Sequence, residues 1–213
     1  MTSAKSVFIF IGPPGAGKGS LSGLCVNRFS WEQLSTGNLC RMHISEQTAI
    51  GQQIDFAIKS GKLVSDSLIT SMVEEWFGQR VNKAGAIILD GYPRTSAQAE
   101  AFDTLLNEKF KGVELKVIRL SISDETVIER LFNRYICKNK DCQMVYSSAV
   151  GSTQAPRNTA VCDHCSSDLV RRGDDDPVAV RERLITYHNH VRMVKLRITA
   201  VAISGVVVAV GSN

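Results

Sequence analysis

The chain has 213 residues, 44% of them hydrophobic and 22% charged, with 25 Lys and Arg against 21 Asp and Glu for a formal net charge of +4. This is enough for one soluble domain with a buried core and insertions. It excludes a transmembrane helix: the longest apolar candidate, Ile198 to Val210, has 13 residues and is broken by Thr199, Ser204 and Gly205, where a span needs about 20.

Taken in chain order, Ser6 to Ile11 (SVFIFI) reads as a buried strand. It is too short for a signal peptide and runs into Gly12-Pro13-Pro14, so a cytoplasmic protein with reduced thiols is expected. Lys18 to Phe29 follows as a helix. Ile50, Ile54, Ala57 and Ile58 give helical spacing to 46–60, closed by Gly61. Asp66 is placed as the N-cap of a helix reaching about Asn82. Then come a strand at Ala86 to Leu89, a helix from Thr95 to Lys109, a strand from Val113 to Ile122 and a helix from Asp124 to about Arg134. Residues 135–170 lack strong periodicity and hold four of the six cysteines. Pro177 to about Thr199 reads as a long helix, and Val206 to Val210 as a last strand. Alternation of this kind implies α/β architecture, a parallel sheet with helices on both faces.

Between the first strand and helix, Gly12-Pro13-Pro14-Gly15-Ala16-Gly17-Lys18-Gly19-Ser20 carries the glycines and lysine of the pattern GxxxxGK[ST] in its required context, with Gly19 at the Ser/Thr position and Ser20 directly after it. Glycines let backbone N–H groups wrap a phosphate, and the helix N-terminus adds partial positive charge. Gly15, Ala16, Gly17, Lys18, Gly19 and Ser20 are therefore expected to bind ATP. Lys18 would reach the β- and γ-phosphates, and the Ser20 hydroxyl would serve Mg²⁺.

Three further segments resemble, in order and spacing, the signatures of adenylate kinases: Leu34-Ser35-Thr36-Gly37-Asn38-Leu39-Cys40-Arg41, Gly61-Lys62-Leu63-Val64-Ser65-Asp66, and Asp90-Gly91-Tyr92-Pro93-Arg94-Thr95 with Gln98. With the phosphate loop, the resemblance covers nearly the whole chain, and DGYPR is its most specific part. It implies a P-loop three-layer sandwich with a five-stranded parallel sheet. The core would comprise 1–35, 65–134 and 172–213, an AMP-binding helical insertion 36–64, and a lid 135–171. It also implies reversible, Mg²⁺-dependent phosphoryl transfer from ATP to AMP, giving two ADP.

The same resemblance assigns residues. Thr36, Arg41, Lys62, Leu63, Val64, Gly91, Tyr92, Pro93, Arg94 and Gln98 match the AMP pocket, with Gln98 on the adenine edge, which needs the donor and acceptor an amide supplies. Asp90 would hold Mg²⁺ through water. Arg130 and Arg134 match RLxxR, Arg172 matches RxDD, and Arg183 matches the following VRxRL. These arginines would close on the transferring group, the last two also on AMP, while Asp174 and Asp175 orient arginines. Lys18, Arg41, Arg94, Arg130, Arg134, Arg172 and Arg183 are seven cations; removing them from +4 leaves −3 for everything else. The basicity then belongs to the site, and neither nucleic acid nor membrane is an expected partner. ATP, AMP and ADP are, with the chain acting as a monomer.

Cys137-x4-Cys142 and Cys162-x2-Cys165, 19 residues apart, resemble two knuckles of a structural zinc site. They fall where the family carries its lid. Zinc would replace the core that such a short loop cannot build, and four thiolates leave no open position for catalysis. The first gap is four residues where two is usual; His164 is an alternative ligand to Cys165, Asp163 and Asp141 are weaker ones, and a metal-free or disulfide lid stays open. Cys25 and Cys40 read as core thiols. Val145 and Tyr146 fall where the family's lid packs on the ATP adenine. Two departures stand out: Asn38 replaces the family's aspartate near the Mg²⁺ shell, and the sequence given stops at Asn213 without the family's final helix. Kinases of UMP, CMP or GMP, a zinc-bearing P-loop ATPase that binds nucleic acid, and a non-catalytic nucleotide binder are the competing readings.

Overall fold

The computed structural model describes residues 6–59, 64–139, 142–198 and 206–210. In chain order the strands are β1 (Ser6–Ile11), β2 (Glu32–Ser35), β3 (Ala86–Asp90), β4 (Glu114–Ser121), β5 (Arg134–Cys137), β6 (Val145–Ser147), β7 (Leu169–Val170) and β8 (Val206–Val210). The helices are α1 (Lys18–Phe29), α2 (Thr36–Ser45), α3 (Ala49–Lys59), α4 (Asp66–Arg80), α5 (Ser96–Lys109), α6 (Asp124–Phe132) and α7 (Pro177–Ile198).

Five strands form one parallel sheet in the order β2-β3-β1-β4-β8. Val7, Ile9, Ile87, Ile88 and Leu89 are almost wholly buried, as expected of strands covered on both faces. Against one face, Val73 and Phe77 of α4 and Phe102, Leu105 and Leu106 of α5 complete the main core. Phe77 meets Phe102 and Phe110 edge-on at centroid distances of 5.5 and 5.2 Å. A smaller cluster joins α6 to α7 through Val127, Leu131, Val180 and Leu184. Pro177 opens α7 with its fixed φ, and Asp176 Oδ1 accepts from Val178 N at 2.9 Å. No helix among the described residues is long and apolar enough to cross a membrane.

The structure departs from the sequence expectation in three places. Strand β2 (EQLS) has no apolar run; Leu34 alone is buried, and its pairing with β3 makes it a strand. The helix expected over 46–60 begins only at Ala49 as α3, and α2 (Thr36–Ser45), which was not expected, precedes it. Gln47 adopts φ 52°, and Thr48 Oγ1 accepts from Gly51 N at 3.0 Å, a side-chain cap that restarts the chain as α3. The N-cap of α4 is Ser65, whose Oγ accepts from Leu68 N, so Asp66 lies inside the first turn with its carboxylate free for other work.

Because β1 lies between β3 and β4, the strand order reverses there, and ligands in such sheets bind beyond the carboxyl ends of the strands at that point. Register puts Phe10 beside Asp90 and Ser35 beside Asp90. The phosphate loop after β1, the DGYPR segment after β3 and Thr36 after β2 thus emerge together at one edge.

Candidate active site

Gly17 caps α1 with φ 92° and leaves the N–H groups of the first turn without a side-chain cap, available to an anion. Lys18 is half-buried, and its Nζ donates to Gly12 O and Pro13 O, both at 2.8 Å, drawing the loop around the ammonium. Burial lowers its pKa to about 8; Asp90 works against that shift, while Arg94, Arg183 and Arg134 add to it. Asp90 is pushed above the usual carboxylate range by burial, opposed by Lys18, Arg94, Arg172 and Arg41. A Cβ built on Gly19 would stand 3.8 Å from Asp90 Oδ2, so the start of α1, which carries Ser20, faces that carboxylate.

The DGYPR segment is organised around Gly91. Its φ of 83° demands glycine, and any Cβ there would lie 2.7 Å from Arg94 Nη2 and 3.1 Å from Thr36 Oγ1. Gly91 O accepts from Thr36 Oγ1 at 2.9 Å and from Arg94 Nε at 2.8 Å, which ties β2, β3 and the arginine together. Arg41 is exposed on α2, its Nη2 donating to Asn38 Oδ1. Gln98 is buried: its Oε1 accepts from Arg94 N at 2.8 Å and its Nε2 donates to Asp66 Oδ1 at 2.6 Å.

Between β5 and the segment before α7, Arg134 Nε donates to Asp175 Oδ2 at 2.8 Å, and its Nη2 reaches Asp175 Oδ1. Arg183 Nη1 is 3.5 Å from the same Oδ1. The structure therefore groups Arg41, Arg94, Arg134, Arg172 and Arg183 around the Lys18–Asp90 pair, within range of charge effects on one or the other. Arg130 is exposed on the last turn of α6. Lys62 and Leu63 lie outside the described residues, and Val64 is half-buried.

Burial limits which atoms of two expected residues are open to a ligand. The Tyr92 side chain is 1% exposed and packs edge-on to Phe102, with its hydroxyl donating to Gln98 O at 3.2 Å; only its backbone can meet a ligand. Tyr146 points into the lid rather than out of it. Its hydroxyl is 3.3 Å from Cys162 Sγ and accepts from Asp163 N at 2.8 Å, while the neighbouring Val145 is exposed. The alternation of a strand sends adjacent side chains to opposite faces, so the side chains of Val145 and Tyr146 do not share a face.

The lid is a small antiparallel sheet, β6-β5-β7, whose core is Cys137, Tyr146, Cys162 and Leu169 with Cys142 and Cys165 packed against it. The four thiols lie within 4.8 Å of one another, Cys137–Cys165 at 3.3 Å and Cys142–Cys162 at 3.7 Å. Thiolates at about 2.3 Å from a tetrahedral zinc are about 3.8 Å apart, so the donor set fits one such ion. All four are free cysteines, far beyond the roughly 2.05 Å of a disulfide. Ser167 beside Cys165 lowers that thiol to about 6. Burial raises Cys162, but the Tyr146 hydroxyl and the N–H groups of His164 and Cys165 outweigh it and bring the thiol below its ordinary value. These supporting groups, Ser167 and the Tyr146 hydroxyl, were not anticipated; only the knuckle turn after Cys162 hints at them. His164 Nδ1 is 3.6 Å from Cys142 Sγ, outside the four-sulfur set. Cys25 and Cys40 are half-buried rather than core thiols.

The family model for adenylate kinase matches residues 10–196. The chain belongs to the adenylate kinase family. It is 40% identical over 181 residues to the adenylate kinase of Treponema denticola, an overlap of 85% of this chain and 81% of that one. It is 37% identical to the adenylate kinases of Borreliella burgdorferi (84% of this chain, 79% of the relative) and Zymomonas mobilis (84% and 78%). As a family member the chain is a phosphotransferase of the P-loop α/β fold, with a four-cysteine cluster that fits a zinc lid.

Proposed function

We propose that the chain catalyses ATP + AMP ⇌ 2 ADP by direct in-line transfer between two bound nucleotides. The observation that carries this is the grouping of Arg41, Arg94, Arg134, Arg172 and Arg183 around Lys18 of the phosphate loop and Asp90. Two nucleotides bring charge that only such a cluster of fixed cations can neutralise. Positioning and electrostatic stabilisation are what phosphoryl transfer asks of a protein.

In this reading Gly15 to Ser20 cradle the ATP phosphates, and Lys18 leaves its carbonyl partners to follow the transferring group. Arg134, Arg172 and Arg183, with Arg130 brought in on closure, line the path of the phosphoryl. Arg41 and Arg94 grip the AMP phosphate, with Thr36, Val64 and the backbone of 91–93 along the pocket wall and Gln98 on the base edge. Ser20 and Asp90 are oxygen donors of the type Mg²⁺ takes, Asp90 through water; the ion neutralises phosphate charge. The insertion 36–64 covers the acceptor, and the lid 135–171 covers the donor and excludes water. A structural Zn²⁺ on Cys137, Cys142, Cys162 and Cys165 holds the lid sheet together. Free thiols suit a reducing compartment, and we read the protein as a cytoplasmic monomer.

A coupled assay of ADP formation from ATP with AMP, GMP, CMP and UMP tests the reading. AMP should be the preferred acceptor, with Lys18→Ala and Arg94→Ala each losing activity by on the order of 100-fold or more. ATP hydrolysis independent of any monophosphate would overturn it.

A further inference from the structure

Gln98 carries two N–H donors and two acceptor lone pairs, and an unconstrained amide can flip to serve either order of partners. Here the amide is held by two groups of opposite polarity. Arg94 N–H can only donate, and it meets Oε1 at 2.8 Å. The Asp66 carboxylate accepts, and it meets Nε2 through Oδ1 at 2.6 Å. Its second oxygen, Oδ2, accepts from Thr95 Oγ1 at 2.7 Å, and Thr95 Oγ1 in turn caps Gln98 N at 3.2 Å.

One turn further along α4, Thr70 Oγ1 lies 3.3 Å from the Tyr92 hydroxyl, which itself donates to Gln98 O. Asp66 and Thr70, four residues apart on one face of α4, thus stitch that helix to the first turn of α5. Asp66 is also the first residue of α4, where the chain returns from the α2–α3 insertion to the core.

We infer that Asp66 is a specificity-determining positioning residue: it locks the Gln98 amide in one orientation and so sets which order of donor and acceptor the acceptor base must present. This rests on the reading that Gln98 faces that base. With one donor and one acceptor already committed, Gln98 has one of each left. Adenine offers a ring acceptor beside an exocyclic amino donor, whereas hypoxanthine and guanine offer a ring donor beside a carbonyl acceptor. A flippable amide serves both; a locked one serves a single order. Hypoxanthine has almost the shape of adenine, which makes IMP the discriminating probe.

The test compares kcat/KM for AMP and IMP in the full-length protein and in Gln98→Ala, Asp66→Ala and the double variant. Asp66→Ala should reduce the AMP-to-IMP ratio by about 10-fold, the worth of one hydrogen bond to a charged group, through KM for AMP with kcat little changed. In the Gln98→Ala background the same substitution should leave the ratio where it is, because nothing remains to be oriented. A purely structural Asp66 would lower the melting temperature and both rates alike. If Asp66→Ala does not fold, Asp66→Asn keeps the shape but offers both polarities and should move the ratio in the same direction. An unchanged ratio in these variants, or an equal fall with and without Gln98, overturns the inference. A ratio unmoved by Gln98→Ala alone would instead sink the assignment of Gln98 to the base, and the lock with it.

Discussion

Arg134 and Asp175 form a two-point ion pair in which the guanidinium Nε and Nη2 meet the two carboxylate oxygens, and the acid is 3% exposed. They come from segments 41 residues apart: Arg134 opens the lid sheet and Asp175 sits just before α7. The same carboxylate holds Arg183 at 3.5 Å. One buried acid therefore fixes the heads of two arginines that the proposed chemistry needs in place before the nucleotides arrive, and it does so across the junction where the lid meets the core.

Asp175→Asn should lower kcat by roughly 100-fold while changing KM for ATP far less, because pre-positioned charge acts mainly on the transition state. Asparagine keeps the shape but loses the charge and can accept through only one oxygen, leaving Arg134 half-unpaired. Breaking a largely buried pair should also cost about 2–3 kcal/mol of stability. Steady-state kinetics and thermal melting measure the two effects separately. A variant with normal kcat would show that Arg134 and Arg183 find their positions without the acid.

Lys18 gives a pH signature. Its pKa in the folded chain is about 8, below the ordinary 10.5. Between those values the unfolded chain holds a proton that the folded one has released, so this group makes the fold relatively more stable as pH rises through that window. ATP phosphates should reverse the shift by favouring the ammonium. Binding ATP at pH 8 should then take up about half a proton, visible as a dependence of the binding enthalpy on the buffer's ionisation enthalpy. Lys18→Arg, always charged, should show no such uptake if it binds. Equal proton uptake in both proteins would place the titrating group elsewhere.

The lid makes a separable prediction. The purified, reduced protein should contain about one zinc per chain, and Cys162→Ser should remove most of it. Losing the ion should lower the melting temperature by about 5 °C or more, a few kcal/mol at this chain length. The phosphate loop belongs to the other sheet, so ATP should still bind. Elemental analysis showing no metal in fresh protein would reject the site.

Much of this was legible in the sequence where physics is local. The run SVFIFI, the glycine turn after it and the run AIIL predicted strands β1 and β3 and the edge at which they meet. The expectation that an acid of the RxDD segment orients arginines is met by Asp175. What failed to show was set by partners far away in sequence. Strand β2 is polar and exists because β3 pairs with it. Helix α2 went unread, and the turn at Gln47 and Thr48 that delays the next helix to Ala49 is a backbone feature that periodicity does not register. The side of the lid strand on which Tyr146 falls depends on where the four sulfurs gather. Asp66 looked like a cap, and only the fold reveals that its carboxylate meets Thr95 and Gln98.

Asn38 supplies the last prediction. From sequence, its replacement of the family's aspartate suggested a weaker grip on the Mg²⁺ water shell. In the structure its Oδ1 accepts from Arg41 Nη2, on the exposed first turn of α2. Its measurable partner is thus the arginine assigned to the AMP phosphate. Asparagine holds that guanidinium by one neutral acceptor, which a phosphate can displace. A carboxylate would hold it as an ion pair, and AMP would have to break that pair. Exposed pairs are worth about 0.2–1 kcal/mol, so Asn38→Asp should raise KM for AMP by roughly 2- to 5-fold, with the effect fading at high salt. KM for ATP and the Mg²⁺ midpoint should stay put. Titrations of AMP at two ionic strengths and of Mg²⁺ at saturating nucleotides decide between the two roles. A lowered Mg²⁺ midpoint with unchanged KM for AMP would return Asn38 to the metal's side of the cleft.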